Sequence, residues 1–202
     1  MTDYFVTGIG TDVGKTIVAA VLTEALEADY WKPVQAGDLD RSDSIQVGQL
    51  ITNTKSRIHQ EAYRLTQPMS PHAAARIDGV EIQLESIHRP ETSNRLIIEG
   101  AGGLMVPLND KRCIIDLIRQ LDVEVILVSQ NYLGSINHTL LSIDALKHRN
   151  IPVKGIIFNG AENSESEQFI LNTGIQLLGR LNHHERVTKE TVASYKSRFS
   201  SL

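Results

Sequence analysis

The run Gly8-Ile9-Gly10-Thr11-Asp12-Val13-Gly14-Lys15-Thr16 brings flexible glycines, a lysine and a hydroxyl into one short stretch. The chemistry that suits it is the gripping of a polyphosphate. A strand signal, Tyr4-Phe5-Val6-Thr7, precedes it, and apolar residues at helical spacing (Ile17, Val18, Val21, Leu22, Ala25, Leu26) follow. A helix N-terminus offers unpaired N–H groups and the positive end of a dipole, while glycines let the backbone curl around phosphate oxygens. Lys15 is then placed to reach the β- and γ-phosphates, and the Thr16 hydroxyl to coordinate Mg²⁺. Asp12 through Ile17 are the expected nucleotide contacts. Five residues separate Gly8 from Gly14, so the loop is longer than the common phosphate-loop pattern. A plain glycine-rich turn would not need Lys-Thr at the start of the helix.

A Mg²⁺ ion bridging phosphates usually takes one or two carboxylates from the protein. Glu99 closes the strand signal Arg95-Leu96-Ile97-Ile98 and precedes Gly100-Ala101-Gly102-Gly103, read as a glycine-rich turn. A carboxylate at the carboxyl end of such a strand points into the crevice where α/β sheets bind ligands. Asp43 precedes an amphipathic pattern (Ile45, Val47, Leu50, Ile51) and by itself reads as a helix cap or first-turn acid. Lys32 lies in the strand-like run Tyr30-Trp31-Lys32-Pro33-Val34, either as a solvent-facing edge residue or aimed into the crevice. The single cysteine, Cys113, begins an apolar run and is expected to be a buried free thiol.

The elements that must position these groups alternate. Strand signals at Val123 to Val128, Val153 to Phe158 and Gln176 to Leu181 are separated by helical patterns at Ile114 to Leu121, Ile136 to His148 and Ser166 to Asn172. A terminal helix is expected from about Thr188. Alternation at these lengths predicts an α/β fold, a mostly parallel sheet with helices on both faces. The more polar stretch from Gly37 to Pro90 is expected as helices and loops over the sheet edge, leaving one domain across residues 1–202. A net charge of −4 carries no basic excess for nucleic acid, and no apolar run reaches the length of a membrane span. A cytoplasmic location is expected. His183-His184 has no accompanying metal-ligand pattern and reads as surface.

Taken in order, these segments resemble the dethiobiotin synthetase family within the P-loop NTPases. The resemblance rests on the long-spaced loop, Lys32-Pro33-Val34, Ser42-Asp43, Ser70-Pro71-His72 and Glu99-Gly100-Ala101-Gly102-Gly103. It continues through Pro107-Leu108, Leu133-Gly134-Ser135-Ile136-Asn137-His138 and Asn159, covering residues 4 to about 160. It implies ATP- and Mg²⁺-dependent carboxylation and ring closure of 7,8-diaminononanoate. It also implies that Lys32 and Lys15 are catalytic and that Thr16, Asp43 and Glu99 are the Mg²⁺ ligands. By the same resemblance Gly100, Ala101, Gly102, Asn159 and Gly160 lie against the nucleotide, with Asn159 at the adenine, and Thr11 and Ala36 near the diamine. Gly134, Ser135, Ile136 and Asn137 open a helix whose free N–H groups suit the far carboxylate of the substrate, which the family holds from the partner subunit of a homodimer.

The sequence departs from that pattern at Ala36, where the family often has a hydroxyl residue, and in Arg180-Leu181-Asn182-His183, where a proline-containing base-binding segment is usual. Glu185 is a candidate ribose contact. His72 and His138 suit a structural role as well as a ligand role. Two other readings share the loop. An amide-forming ligase of the same branch normally carries an added glutamine-hydrolysing domain. A nucleotide-switched partitioning or scaffold ATPase typically has an extra lysine early in the loop, where this chain has Gly10.

Overall fold

The computed structural model describes residues 2–202. In chain order the elements are β1 (Tyr4–Gly8), α1 (Lys15–Leu26), β2 (Asp29–Trp31), β3 (Val34–Ala36), α2 (Asp43–Leu50), β4 (Ile58–His59), β5 (Tyr63–Leu65) and α3 (Pro71–Ile77). There follow β6 (Leu96–Gly103), α4 (Ile114–Leu121), β7 (Glu124–Gln130), α5 (Ser135–His148), β8 (Val153–Asn159), α6 (Ser164–Leu171), β9 (Leu177–Leu181), α7 (Lys189–Ser194) and α8 (Lys196–Phe199). Among the described residues, seven strands form one sheet in the order β4-β2-β6-β1-β7-β8-β9, and every pairing is parallel. The expected α/β architecture is present.

Side chains alternate across a strand, so the sheet sorts its residues into two cores. Tyr4, Val6, Tyr30, Ile97 and Ile126 pack on the α1 side, while Phe5, Trp31, Leu96, Ile98 and Val125 pack on the α4 side. Helix α1 is apolar around most of its circumference because it is buried, between the sheet below and α2, α7 and α8 around it. Glu24, on this buried helix, is satisfied by the Thr52 and Asn53 backbone N–H groups at 2.7 and 3.0 Å and by both of their side chains.

Several expectations need correction. The run Tyr30 to Val34 is not one strand. It divides at Lys32-Pro33 into β2 in the main sheet and β3, which pairs with β5 in a separate two-stranded sheet. Pro33 has no N–H to donate, and its carbonyl accepts from the Ala62 and Tyr63 N–H groups, so the chain leaves the main sheet there. The segment after Glu99 is not a turn. Strand β6 continues to Gly103, because its pairing with β1 resumes at Gly8 and Gly103 after a register shift. The stretch from Gly37 to Pro90 contains two short strands besides its helices, one of them at the sheet edge. The terminal helix breaks at Tyr195 into α7 and α8. Cys113 is half-buried rather than buried and caps α4. Burial and the neighbouring Asp116 push its thiol up, away from nucleophile chemistry.

Candidate functional site

The loop between β1 and α1 is held by its neighbours. Gly14 has φ 88, and a Cβ there would overlap the Asn159 carboxamide, so no other residue fits. Asn159 Nδ2 in turn donates to the Val13 carbonyl at 3.0 Å. Lys15 folds back over the loop and donates to the Gly10 carbonyl at 2.9 Å. Burial lowers its pKa, and the ammonium of Lys32 lowers it further against the opposing pull of Glu99 and Asp43. In so dry a setting the field of a cation on a phosphate is at its strongest.

Beside the loop, β2, β6 and α2 converge on one cluster of charges. Lys32 leaves the end of β2 and Glu99 rises from β6, with exposures of 4% and 1%. Ser42 caps α2 through the Ile45 N–H, and Asp43 is the first residue of that helix. Lys32 Nζ is paired with Asp43 Oδ2 and lies 3.3 Å from Glu99 Oε1. The same Glu99 oxygen accepts from the Thr16 hydroxyl at 2.9 Å, and Glu99 Oε2 accepts from the Tyr30 phenol at 2.8 Å. Burial pushes the Lys32 pKa down, but the two carboxylates outweigh it and hold it above the usual lysine value. Burial pushes Glu99 upward, and Asp43 adds to this, against Lys32, Tyr30 and Thr16.

This geometry decides between the readings left open by the sequence. Lys32 is aimed into the crevice. Asp43 is more than a first-turn acid, because its side chain reaches across to Lys32 from another element. Thr16, Asp43 and Glu99 offer a hydroxyl and two carboxylates, all hard oxygen donors. Among the described residues no group of three or more His, Cys, Asp or Glu forms a cation cage. The donor set present is a partial one, of the kind Mg²⁺ completes with phosphate oxygens and water.

Two cavities flank the start of α1. A cleft of about 790 Å³ is lined by Thr11, Asp12, Gly14, Lys15, Thr16, Ile17, Lys32, Ala36, Asp43, Glu99, Ala101 and Gly102. A slot of about 110 Å³ on the other side is lined by Ile17, Asn159, Gly160, Asn182, His183, His184 and Tyr195 among others. The two adjoin, since Ile17 lines both. Val13 is buried behind the loop, and Gly100 packs on Phe5; neither lines the cleft. Gly134, Ser135, Ile136 and Asn137 open α5 but do not line either cavity.

Other residues escaped the sequence reading. Gln35, buried on β3, accepts the Asp43 backbone N–H at 3.3 Å, and its place two residues before Gly37 in a polar stretch gave no signal. Tyr30 read only as a strand former. His183 and His184 are exposed as expected, yet they line the slot, and His184 Nε2 meets the Tyr195 hydroxyl at 2.9 Å. Glu185 does not line it. Arg180 is ion-paired with Glu167 and donates to the Gly160 carbonyl at 3.2 Å, fixing one wall from behind. His138 Nδ1 contacts the Tyr132 hydroxyl at 2.7 Å, and His72 is tied through its backbone N–H to Pro107.

A family model described as an AAA domain matches residues 2–191. An ATP-dependent dethiobiotin synthetase from Cytophaga hutchinsonii is 58% identical, covering 96% of this chain and 95% of the relative. The chain belongs to the dethiobiotin synthetase family. Family members from Christiangramia forsetii (55% identical, covering 98% of each chain) and Rhodopseudomonas palustris (47%, covering 99% and 95%) extend the match. Solved structures share the fold at lower identity. The septum site-determining protein MinD complexed with Mg-ADP from Pyrococcus horikoshii has a TM-score of 0.61 at 16% identity, covering 100% of this chain and 92% of that one. A ParA family ATPase from Chlorobium tepidum has a TM-score of 0.58 at 17% identity, covering 100% and 96%. These two likenesses concern architecture alone, the P-loop NTPase sheet within which dethiobiotin synthetases are built.

Proposed function

We propose that this chain carries out ATP-dependent dethiobiotin synthesis, the activity its relatives are named for, with the Lys15, Lys32, Thr16, Asp43 and Glu99 cluster as its centre. The observation that carries this assignment of roles is the convergence of two buried lysines and two carboxylates from four separate elements on the mouth of the phosphate loop. One amine of 7,8-diaminononanoate adds to CO₂, forming an N–C bond and losing a proton, to give a carbamate. A carbamate oxygen attacks the γ-phosphorus of ATP, and the bond to the bridging oxygen breaks to release ADP. The second amine attacks the carbonyl carbon of the mixed anhydride and expels phosphate, closing the ureido ring.

Anions accumulate at each stage, so the protein's contribution is chiefly positioning and charge stabilisation. Lys32, at the end of β2, holds the carbamate. Lys15 and the N–H groups from Asp12 to Ile17 hold the phosphates, with Ala101 and Gly102 forming the facing wall. Thr16, Asp43 and Glu99 would hold Mg²⁺, which supplies charge neutralisation on the phosphate oxygens when bound. The adenine takes the slot beside Asn159 and Gly160. Thr11 and Ala36 border the diamine, where Ala36 offers its backbone and no hydroxyl.

The N-terminus of α5, from Gly134 to Asn137, lines neither cavity of its own chain and follows the exposed Tyr132 and Leu133. This supports a homodimer in which each subunit supplies that helix end to the other's substrate carboxylate. One domain over 1–202 and a cytoplasmic, small-molecule role without nucleic acid or membrane complete the reading. No helix among the described residues is long and apolar enough to cross a membrane. The test is an assay of the purified protein with diaminononanoate, bicarbonate, Mg²⁺ and ATP, reading phosphate release and product mass. Release that requires the diamine supports the ligase. Release that ignores it would favour a nucleotide-switched ATPase.

A further inference from the structure

Tyr30 is fully buried and is not among the groups that touch nucleotide or diamine in the reading above. Its placement follows from strand order. Strand β2 lies beside β6, with Tyr30 opposite Ile97. Side chains two apart on a strand share a face, so Ile97 and Glu99 point the same way, toward α1, and Tyr30 packs in the same core as Ile97. From there the phenol extends to Glu99 and donates to Oε2 at 2.8 Å. The other oxygen, Oε1, is left to Thr16 at 2.9 Å and to Lys32 at 3.3 Å.

We propose that Tyr30 is a positioning residue of the metal site, whose phenol anchors Glu99 Oε2 so that Oε1 faces Thr16 and the cleft. The inference rests on Glu99 being a Mg²⁺ ligand. A buried carboxylate with one oxygen unpaired would turn to find a donor, and in this cluster the donors are Thr16 and Lys32. Tyr30 prevents that turn by giving the back oxygen its own partner. Partners that orient a metal ligand from behind commonly change metal affinity by ~10–100-fold when removed.

The test is equilibrium titration of Mg²⁺ by calorimetry into the full-length protein saturated with a non-hydrolysable ATP analogue. Wild type, Tyr30→Phe, Glu99→Gln and the double variant are compared. Tyr30→Phe keeps the ring and removes one hydroxyl, and Trp31 emission in a urea titration checks folding. The expected result is roughly tenfold weaker Mg²⁺ binding in Tyr30→Phe. Glu99→Gln should be weaker still, and the double variant no weaker than Glu99→Gln, because Tyr30 acts through that carboxylate. Wild-type Mg²⁺ affinity in Tyr30→Phe, with Glu99→Gln impaired, overturns the inference and leaves the ligand assignment standing. Losses that multiply in the double variant overturn it too. Unchanged affinity in Glu99→Gln removes the ligand assignment itself, and the inference with it.

Discussion

Buried carboxylates lie at opposite ends of the stretch where β2 and β6 pair, and the two ends behave differently. At the start of β2, Asp29 accepts from the Arg57 N–H at 3.0 Å, Asn94 Nδ2 at 3.1 Å and the Thr92 hydroxyl at 2.8 Å, and meets His59 Nε2 at 2.8 Å. Burial pushes its pKa up, but these hydrogen bonds outweigh it and hold the carboxyl below its usual value. At the other end Glu99 is raised by burial, and its partners are two hydroxyls and an ammonium. Asp29 is saturated by donors fixed in the backbone and in short loops. Glu99 is held by side chains that can exchange one partner for another. On the proposed function, the difference separates a carboxylate that staples the sheet from one that would serve the chemistry.

The largest effect should come from removing the cation at the reactive end. Lys32→Ala is expected to lower the rate of dethiobiotin formation several hundred-fold, about 3–4 kcal/mol of transition-state stabilisation. Wild-type turnover would take that lysine out of the mechanism. Glu99→Gln should raise the Mg²⁺ concentration needed for half-maximal activity by ~10–100-fold. An unchanged metal titration would reject its role as ligand.

Stability should respond in the opposite place. Asp29→Asn is expected to cost about 2 kcal/mol in urea unfolding at neutral pH, because fixed donors lose their acceptor. Glu24→Gln should behave alike, since hydrogen bonds from Asn53 and Thr52 overcome burial and lower its pKa. A carboxyl with a depressed folded pKa stabilises above its unfolded pKa and loses that contribution as pH falls through the folded value. The gap between wild type and these two variants should therefore start to narrow near about pH 4 and close only as pH falls through the lower folded values. Glu99→Gln should show no such loss at neutral pH, because its folded pKa is raised. The smallest expected effect concerns α5. A substrate analogue lacking the carboxylate should bind about fivefold more weakly, the scale of one helix-terminus interaction. Equal binding would remove Gly134 to Asn137 from the substrate site.

The phosphate loop and the alternation of strand and helix were legible because each is written within a dozen neighbouring residues. Gly8, Gly14, Lys15 and Thr16 act through local backbone geometry. Lys32 could not be placed from spacing, since its direction depends on where Pro33 forces the chain out of the main sheet. Asp43 looked like an ordinary first-turn acid, and its partner, Lys32, lies just past the end of β2. Tyr30 was invisible for a related reason. A tyrosine in a strand reads as β-propensity, and only the adjacency of β2 and β6, set by a long crossover through α2 and α3, puts its hydroxyl on Glu99. The slot beside Asn159 was the least legible part, because Asn182, His184 and Tyr195 meet through the fold of the C-terminal segment.

The central claim is that the Lys32, Asp43 and Glu99 cluster opens to receive a cation and a polyphosphate. A crystal structure with Mg²⁺ and a non-hydrolysable ATP analogue tests it most directly. The account predicts the metal on Thr16, Asp43 and Glu99, Lys15 turned from the Gly10 carbonyl to the phosphates, and Lys32 free of Asp43. A bound nucleotide with Lys32 still clamped between both carboxylates, and the metal held elsewhere, would contradict it.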